Sequence, residues 1–244
     1  MTSNLNLCTL QFAYQESPWE ANLTTILDGL KASKQFSLTL APELALTGYS
    51  YEKMDEAADF SKAALEKIVD ATDKKAFGFT AIVKVDKGFV NRFYFISDKK
   101  IIYTQDKAKL FALGDEPKYF IAGDEKLICP FNWNGLKVGV LICFELRFVE
   151  LWLQLRGCDL ILVPALWGKS RKSHFETLNK ALAIANQCFV LSSNSADLNM
   201  AAGGGVADPF GVIYQDDKKR IFTCKADLGR IKKMRRYIKG VINE

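Results

Sequence analysis

Cys143 stands where an unbroken apolar run, Val138-Gly139-Val140-Leu141-Ile142, gives way to Phe144-Glu145-Leu146-Arg147-Phe148-Val149-Glu150-Leu151. The run fits a fully buried strand, and the segment after it reads as a helix over 145–156 stopped by Gly157. A side chain at such a corner lies at the carboxyl edge of a sheet, facing N–H groups that have no acceptor within the helix. Those groups would favour a thiolate and could hold an oxyanion. A packed core cysteine fits the same pattern. Thiol chemistry needs a base, usually histidine, and the chain has one histidine. That residue, His174, follows Lys169-Ser170-Arg171-Lys172-Ser173, where a surface position is the simpler reading. A carboxylate is then the expected base. Glu43 is the candidate, because in LTLAPELALTGYS a carboxylate among apolar neighbours is costly without a partner or a task. It could also be a first-turn acid after Pro42. An ammonium to balance a buried thiol and carboxylate could come from Lys107 or Lys109, in DKAKLF.

Alternating strand and helix patterns must position these residues. Leu5 to Phe12 alternates apolar and polar as a strand does. Ser17-Pro18-Trp19-Glu20 reads as a capping box with proline at the first helical position, and Leu23, Ile26, Leu27 and Leu30 follow at helical spacing. Strand returns over 36–40 and a second helix is expected over 61–74. Strands then span 77–85, 89–97 and 100–103, with Asp98-Lys99 as a hairpin turn. Further on, strand covers 160–164, helix 175–186 and strand 188–192. Strands separated by crossovers of this length imply a mixed, two-layered α/β domain.

Composition narrows the classes. The 244 residues are 49% hydrophobic and 25% charged, which excludes disorder, collagen and coiled coil. The length favours one domain, 1–244, with a basic extension over 218–244. No membrane span or signal peptide is visible. Six scattered cysteines form no C-x-x-C pair, and with a single histidine a zinc site is not expected. Five of those cysteines read as core filler in a reducing cytoplasm. The formal charge of +5 is uneven: residues 218–239 carry ten Lys/Arg against one acid, leaving −4 for the rest. Without interleaved aromatics that tail is no platform for nucleic acid. Ile231, Met234, Ile238 and Val241 give it one helical face to dock on the body or on a partner subunit.

APELALTGY around Glu43, DKAKLF around Lys107 and GVLICFELRFVEL around Cys143 occur in an order that resembles the carbon–nitrogen hydrolase, or nitrilase, superfamily. Supporting segments are GDEPKYFIAGDE around Glu116, NKALAIANQCFVLSSN at 179–194 and GGGVADPFGVI at 203–213, so the resemblance covers nearly the full length. It implies a nitrilase-like α-β-β-α sandwich with mixed sheets, four layers doubled on dimerisation. It implies a Glu-Lys-Cys triad, here Glu43, Lys107 and Cys143, with no cofactor. Glu116 would hold the lysine, and the Phe144 backbone N–H would share the oxyanion. The implied activity is hydrolysis of a small amide through a Cys thioester, with ammonia released, as in omega-amidases acting on short dicarboxylic monoamides. Carbamoyl amino acid hydrolysis and nitrile hydrolysis are alternatives within the family; a noncatalytic α/β binding module is one outside it. Arg147 and Trp167, with the basic loop behind it, could meet a substrate carboxylate. Pairing of subunits through the helix bearing Leu151, Trp152 and Leu155 would make a homodimer. Three positions depart from the family pattern: Lys109 replaces a histidine, Val149 a proline and Gly205 a serine.

Overall fold

The computed structural model of the chain describes residues 4–242. The first half builds a sheet from β1 (Asn4–Leu10), β2 (Ser37–Leu40), β3 (Ala76–Val85), β4 (Gly88–Ser97) and β5 (Lys100–Asp106), with α1 (Trp19–Ala32) and α2 (Met54–Ala71) as crossovers. A short α3 (Glu116–Tyr119) leads to the second half. There β6 (Phe131–Trp133), β7 (Leu136–Val140), α4 (Val149–Gln154), β8 (Leu160–Pro164), α5 (Lys172–Ala185), β9 (Phe189–Ser193), β10 (Gly205–Ala207) and β11 (Ile213–Gln215) form the other sheet. The chain then returns as β12 (Ile221–Asp227) and ends in α6 (Gly229–Tyr237). Strand orders are β12-β1-β2-β3-β4-β5 and β11-β10-β9-β8-β7-β6.

The two sheets pack face to face. Leu7, Leu38, Leu40, Phe93 and Phe95 of the first share one buried core with Val138, Val140, Leu160, Leu162 and Leu191 of the second. On the outer face of the first sheet, Phe77 and Phe79 meet Leu23, Ile26 and Leu30 of α1 and Ile68 of α2. Leu151, Trp152, Phe175 and Leu182 of α4 and α5 cover the second. The architecture is therefore helix, sheet, sheet, helix, four layers where the periodicity alone suggested two. It explains the all-apolar β8: every residue from Leu160 to Pro164 is buried because both faces of its sheet are covered. At about 1.5–3 kcal/mol per large side chain, these layers dominate the favourable side of folding.

Several boundaries differ from the sequence expectation. The helix expected at residue 61 begins at Met54, because the buried positions that follow Met54 are Ala57, Ala58 and Ser61, too small to register as an apolar stripe. Trp19 opens α1, so Pro18 is its N-cap and Ser17 lies outside; no side chain caps the helix. After Cys143 comes a 3-10 turn, Cys143–Arg147, and extended Phe148 separates it from α4. Leu151, Trp152 and Leu155 face the chain's own core and are not available to a second subunit. In the tail, β12 pairs antiparallel with β1, a strand the charge pattern hid. Ile231 and Met234 are buried on α6, whereas Ile238 and Val241 lie beyond its end. Cys8, Cys158 and Cys188 are packed, but Cys129 is exposed and Cys224 half-buried. No described helix is long and apolar enough to cross a membrane.

Strand direction decides where side chains gather. β1, β2 and β3 run parallel, as do β7, β8 and β9. Antiparallel β4 reverses the chain and β5 reverses it again, so β5 ends at the same edge as β3. Glu43 follows β2, Lys107 follows β5 and Cys143 follows β7. The topology delivers all three to one end of the sandwich.

Candidate active site

Glu43, Lys107 and Glu116 are all completely buried. Lys107 Nζ lies 2.7 Å from Glu43 Oε1 and 2.7 Å from Glu116 Oε1. Asn91 Nδ2, near the start of β4, donates to Glu43 Oε1 at 2.9 Å. The Tyr49 hydroxyl lies 2.6 Å from Glu116 Oε1 and 3.0 Å from Glu43 Oε2. Phe111 N–H donates to Glu116 Oε2 at 3.0 Å. Glu43 sits in a turn rather than a helix, and its N–H is tied to Ala165 O at 3.2 Å, beyond the end of β8. One ammonium thus joins two carboxylates in a place closed to water.

Cys143 has φ +53, in the left-handed region that a non-glycine residue adopts at a cost. That kink turns the side chain out of the strand. Its Sγ is met by the Leu166 N–H at 3.5 Å. Burial first, and then the Glu43 carboxylate, hold the thiol well above the ordinary cysteine range; Lys107 and the Leu166 N–H pull the other way. Burial disfavours the Lys107 ammonium, but Glu43, Cys143 and Glu116 outweigh it and keep the group charged. Burial, then Glu43, push the Glu116 carboxyl up, opposed by Lys107 and Tyr49.

Glu145 carries a structural task that its position two residues after the cysteine did not disclose. Its Oε1 accepts from Ala108 N–H at 2.6 Å and its Oε2 from Ile142 N–H at 2.7 Å. One buried carboxylate therefore clamps the residue after Lys107 to the residue before Cys143. Burial lifts its pKa to about 7 against those two hydrogen bonds. Tyr49 and Asn91 were likewise missed. Tyr49 lies within the quoted TGY segment; Asn91 is a buried amide in a strand whose other buried residues are mainly apolar.

Lys109 does not join the cluster. Its Nζ reaches Glu125 at 2.6 Å and stands 4.8 Å from the Phe148 ring centroid. Of the two lysines after β5, the fold brings Lys107 to Glu43 and Glu116 and Lys109 to Glu125. Val149 is the first residue of α4, where a proline would also fit. At Gly205 a Cβ would lie 2.5 Å from Tyr214 O and 2.8 Å from Gln215 Cβ, so the paired β11 leaves no room for serine.

A cavity of about 210 Å³ opens onto Cys143. Phe144, Tyr49, Leu166, Trp167, Arg147 and Arg171 line it together with Cys143. Phe144 is the second residue of the 3-10 turn, whose first N–H groups have no acceptor inside the turn. Arg147 stacks 4.5 Å from the Trp167 ring centroid, with its Nη2 3.3 Å from Nδ1 of exposed His174. Arg171 lies 5.2 Å from the Phe111 ring centroid. Among the described residues neither guanidinium has a carboxylate within salt-bridge reach, including Glu150 for Arg147. The arrangement offers a thiol, an acid–ammonium pair beside it, and two guanidiniums without a carboxylate partner lining the same cavity.

Comparison with known proteins identifies the family. The carbon-nitrogen hydrolase family model matches residues 9–236. The chain is 31% identical to a 2-oxoglutaramate amidase of Bacillus subtilis over 211 residues, covering 81% of this chain and 80% of the relative. It is 29% identical to the omega-amidase YafV of Yersinia enterocolitica over 194 residues, 79% of this chain and 75% of that one. In fold it is similar to Nit3 of Saccharomyces cerevisiae, a member of branch 10 of the nitrilase superfamily, with a TM-score of 0.85 at 19% identity, covering 96% and 94% of the two chains. A family match over almost the whole length, on a sandwich of this topology, makes the chain a member of the carbon–nitrogen hydrolase family.

Proposed function

We propose that the protein is an omega-amidase-type thiol amidohydrolase that releases ammonia from the terminal amide of a short dicarboxylic monoamide. One observation carries this reading: a single small cavity is lined both by Cys143 and by two guanidiniums, of Arg147 and Arg171, that have no acid partners among the described residues. A substrate with an amide at one end and a carboxylate at the other matches that pairing. Two relatives named as amidases of this type support the amide over the carbamoyl and nitrile alternatives.

In the proposed mechanism Glu43 takes the proton of Cys143, and the sulfur attacks the amide carbon. Lys107 and the Phe144 N–H meet the oxyanion of the tetrahedral intermediate; one such donor is typically worth about 3–4 kcal/mol. Glu43 returns the proton to the leaving nitrogen, the C–N bond breaks, and ammonia departs. A water deprotonated by the same carboxylate then cleaves the thioester, giving the free acid and restoring the thiol. Glu116 anchors Lys107 from the side opposite Glu43. Arg147, stacked on Trp167, and Arg171 hold the distal carboxylate.

The test is an ammonia-release screen over four- and five-carbon dicarboxylic monoamides, neutral amides, carbamoyl amino acids and nitriles. The monoamides should be turned over best and Cys143→Ala should be inactive. Carbon dioxide appearing with the ammonia would assign a carbamoyl substrate instead, and full activity of Cys143→Ala would remove the nucleophile. The same reading assigns a reducing, cytoplasmic setting, supported by six free thiols. It also assigns a homodimer, for which exposed Val149 and Leu153 on α4 offer an apolar face; a monomer by light scattering would overturn that.

A further inference from the structure

Tyr49 has one hydroxyl proton and two carboxylate neighbours. The contact to Glu116 Oε1 is 2.6 Å and that to Glu43 Oε2 is 3.0 Å. One proton cannot make two linear hydrogen bonds. The shorter contact takes it, leaving a phenol lone pair against Glu43 Oε2. That second contact becomes attractive when Glu43 Oε2 itself bears a proton. The two oxygens of Glu43 are not equivalent: Oε1 already accepts from Lys107 and Asn91. Oε2 has the Tyr49 oxygen as its hydrogen-bond neighbour, and the Cys143 thiol is within hydrogen-bonding reach of the same carboxylate. A proton arriving from Cys143 therefore settles on Oε2.

We propose that Tyr49 is a positioning residue of the reaction: its hydroxyl donates to Glu116 and accepts from Glu43, stabilising Glu43 in the protonated form created when Cys143 gives up its proton. The inference rests on the thiol-hydrolase reading of Cys143 and Glu43. The step balances without any added reagent. The S–H bond breaks, an O–H bond forms at Glu43 Oε2, and that proton is held against the Tyr49 oxygen until the leaving nitrogen takes it. The charged and titratable groups around Tyr49 fit this role. Burial, Glu43, Glu116 and Cys143 in that order keep its phenol protonated far above the ordinary tyrosine range, so it does not compete as a base. Lys107 reaches both carboxylates but does not contact Tyr49 through any hydrogen bond. The ring is fixed by Tyr51 at 5.4 Å and Phe120 at 6.3 Å between centroids, so the hydroxyl is aimed by packing.

The experiment is Tyr49→Phe, which keeps the ring and removes the hydroxyl. Two readouts are taken: ammonia release from a dicarboxylic monoamide, and alkylation of Cys143 by iodoacetamide across pH, resolved by peptide mass spectrometry because Cys129 is also exposed. The expected result is a kcat lower by about threefold to tenfold, the worth of the one neutral hydrogen bond between protonated Glu43 and the phenol, with KM within about threefold. Cys143 alkylation should slow by a similar factor at neutral pH and recover only at higher pH. Unchanged kcat and unchanged alkylation overturn the proposal. A fall in KM-dependent binding alone, with normal alkylation, also overturns it, since that marks a pocket-lining role. If wild type alkylates at Cys143 but releases no ammonia from any amide, the amidase reading fails by itself and the alkylation arm still decides the role of Tyr49. Should Tyr49→Phe not fold, Glu116→Gln removes the charge that holds the Tyr49 proton; normal Cys143 alkylation in that variant overturns the proposal.

Discussion

Arg147 provides the sharpest test of what the cavity recognises. Its guanidinium is exposed, stacked on Trp167 and held beside His174. A hydrogen bond to a charged group is worth about 1.5–3 kcal/mol when well shielded, whereas an exposed ion pair is worth about 0.2–1 kcal/mol. Arg147 lies between these cases, because the stack orients it but water reaches it. A contribution of about 1.5 kcal/mol to binding a substrate carboxylate follows, roughly tenfold in kcat/KM. Arg147→Ala should therefore lose about that factor on a dicarboxylic monoamide and almost nothing on a neutral amide of equal length. Arg147→Lys keeps the charge but not the planar stack on Trp167, and should recover only part of the loss. The assay is initial-rate ammonia release for both substrates with each variant. An equal loss on the charged and the neutral substrate would refute the argument, since the residue would then be shaping the corner after Cys143 rather than reading a carboxylate. The same comparison with Arg171→Ala shows whether the two guanidiniums share one carboxylate; if they do, the double variant loses less than the product of the two single losses.

Glu145 links pH to stability. Its folded pKa of about 7 lies above the ordinary 4.5, so between those values the folded protein holds more protons than the unfolded chain. Its contribution is full below about pH 4.5 and is lost as pH rises through 7, by about 3 kcal/mol at most. Urea unfolding at pH 5 and pH 8 should show this slope in wild type and a flatter one in Glu145→Gln; identical slopes would contradict it. Gly205→Ser forces a Cβ to within 2.5 Å of the Tyr214 carbonyl oxygen and should cost about 1–3 kcal/mol. A thermal melt would register that as a fall of several degrees, and no change would mean that β11 yields freely.

The sequence made Glu43 and Cys143 legible as candidates because each sits at a strand end marked by a sharp change in apolar pattern. Val138–Ile142 stops at Cys143, and the strand through Leu40 stops before Glu43. Asp98-Lys99 was readable as a hairpin, and both residues have positive φ, 49° and 60°, as such a turn requires. What stayed hidden was whatever depends on partners distant in sequence. β12 lies in the most basic part of the chain, where charge masks a strand defined by pairing with β1. Ala57 and Ala58 bury too little area to announce α2. Glu145 and Tyr49 gain their meaning from Ala108, Ile142, Glu43 and Glu116, which no local window contains. Lys107 and Lys109 are two residues apart in near-identical surroundings, and only the fold of the segment after β5 separates the buried ammonium from the surface one.

The resting charge of the sulfur follows from this placement. A helix N-terminus after Cys143 would have favoured a thiolate, but a five-residue 3-10 turn stands there, and its few aligned peptides make a weak dipole. Burial and the neighbouring Glu43 carboxylate both raise the thiol's pKa, and Lys107 with the Leu166 N–H does not reverse them. The thiol therefore keeps its proton at neutral pH and has to lose it during attack. This makes the base indispensable and explains the density of carboxylate chemistry around one sulfur. In the proposed mechanism Glu43 takes a proton while buried, Lys107 stays charged to meet the oxyanion, and Glu116 stays beside Lys107 to hold that charge in place. A site built on a preformed thiolate would need the lysine but not two acids. The pair of glutamates is what a protonated thiol requires.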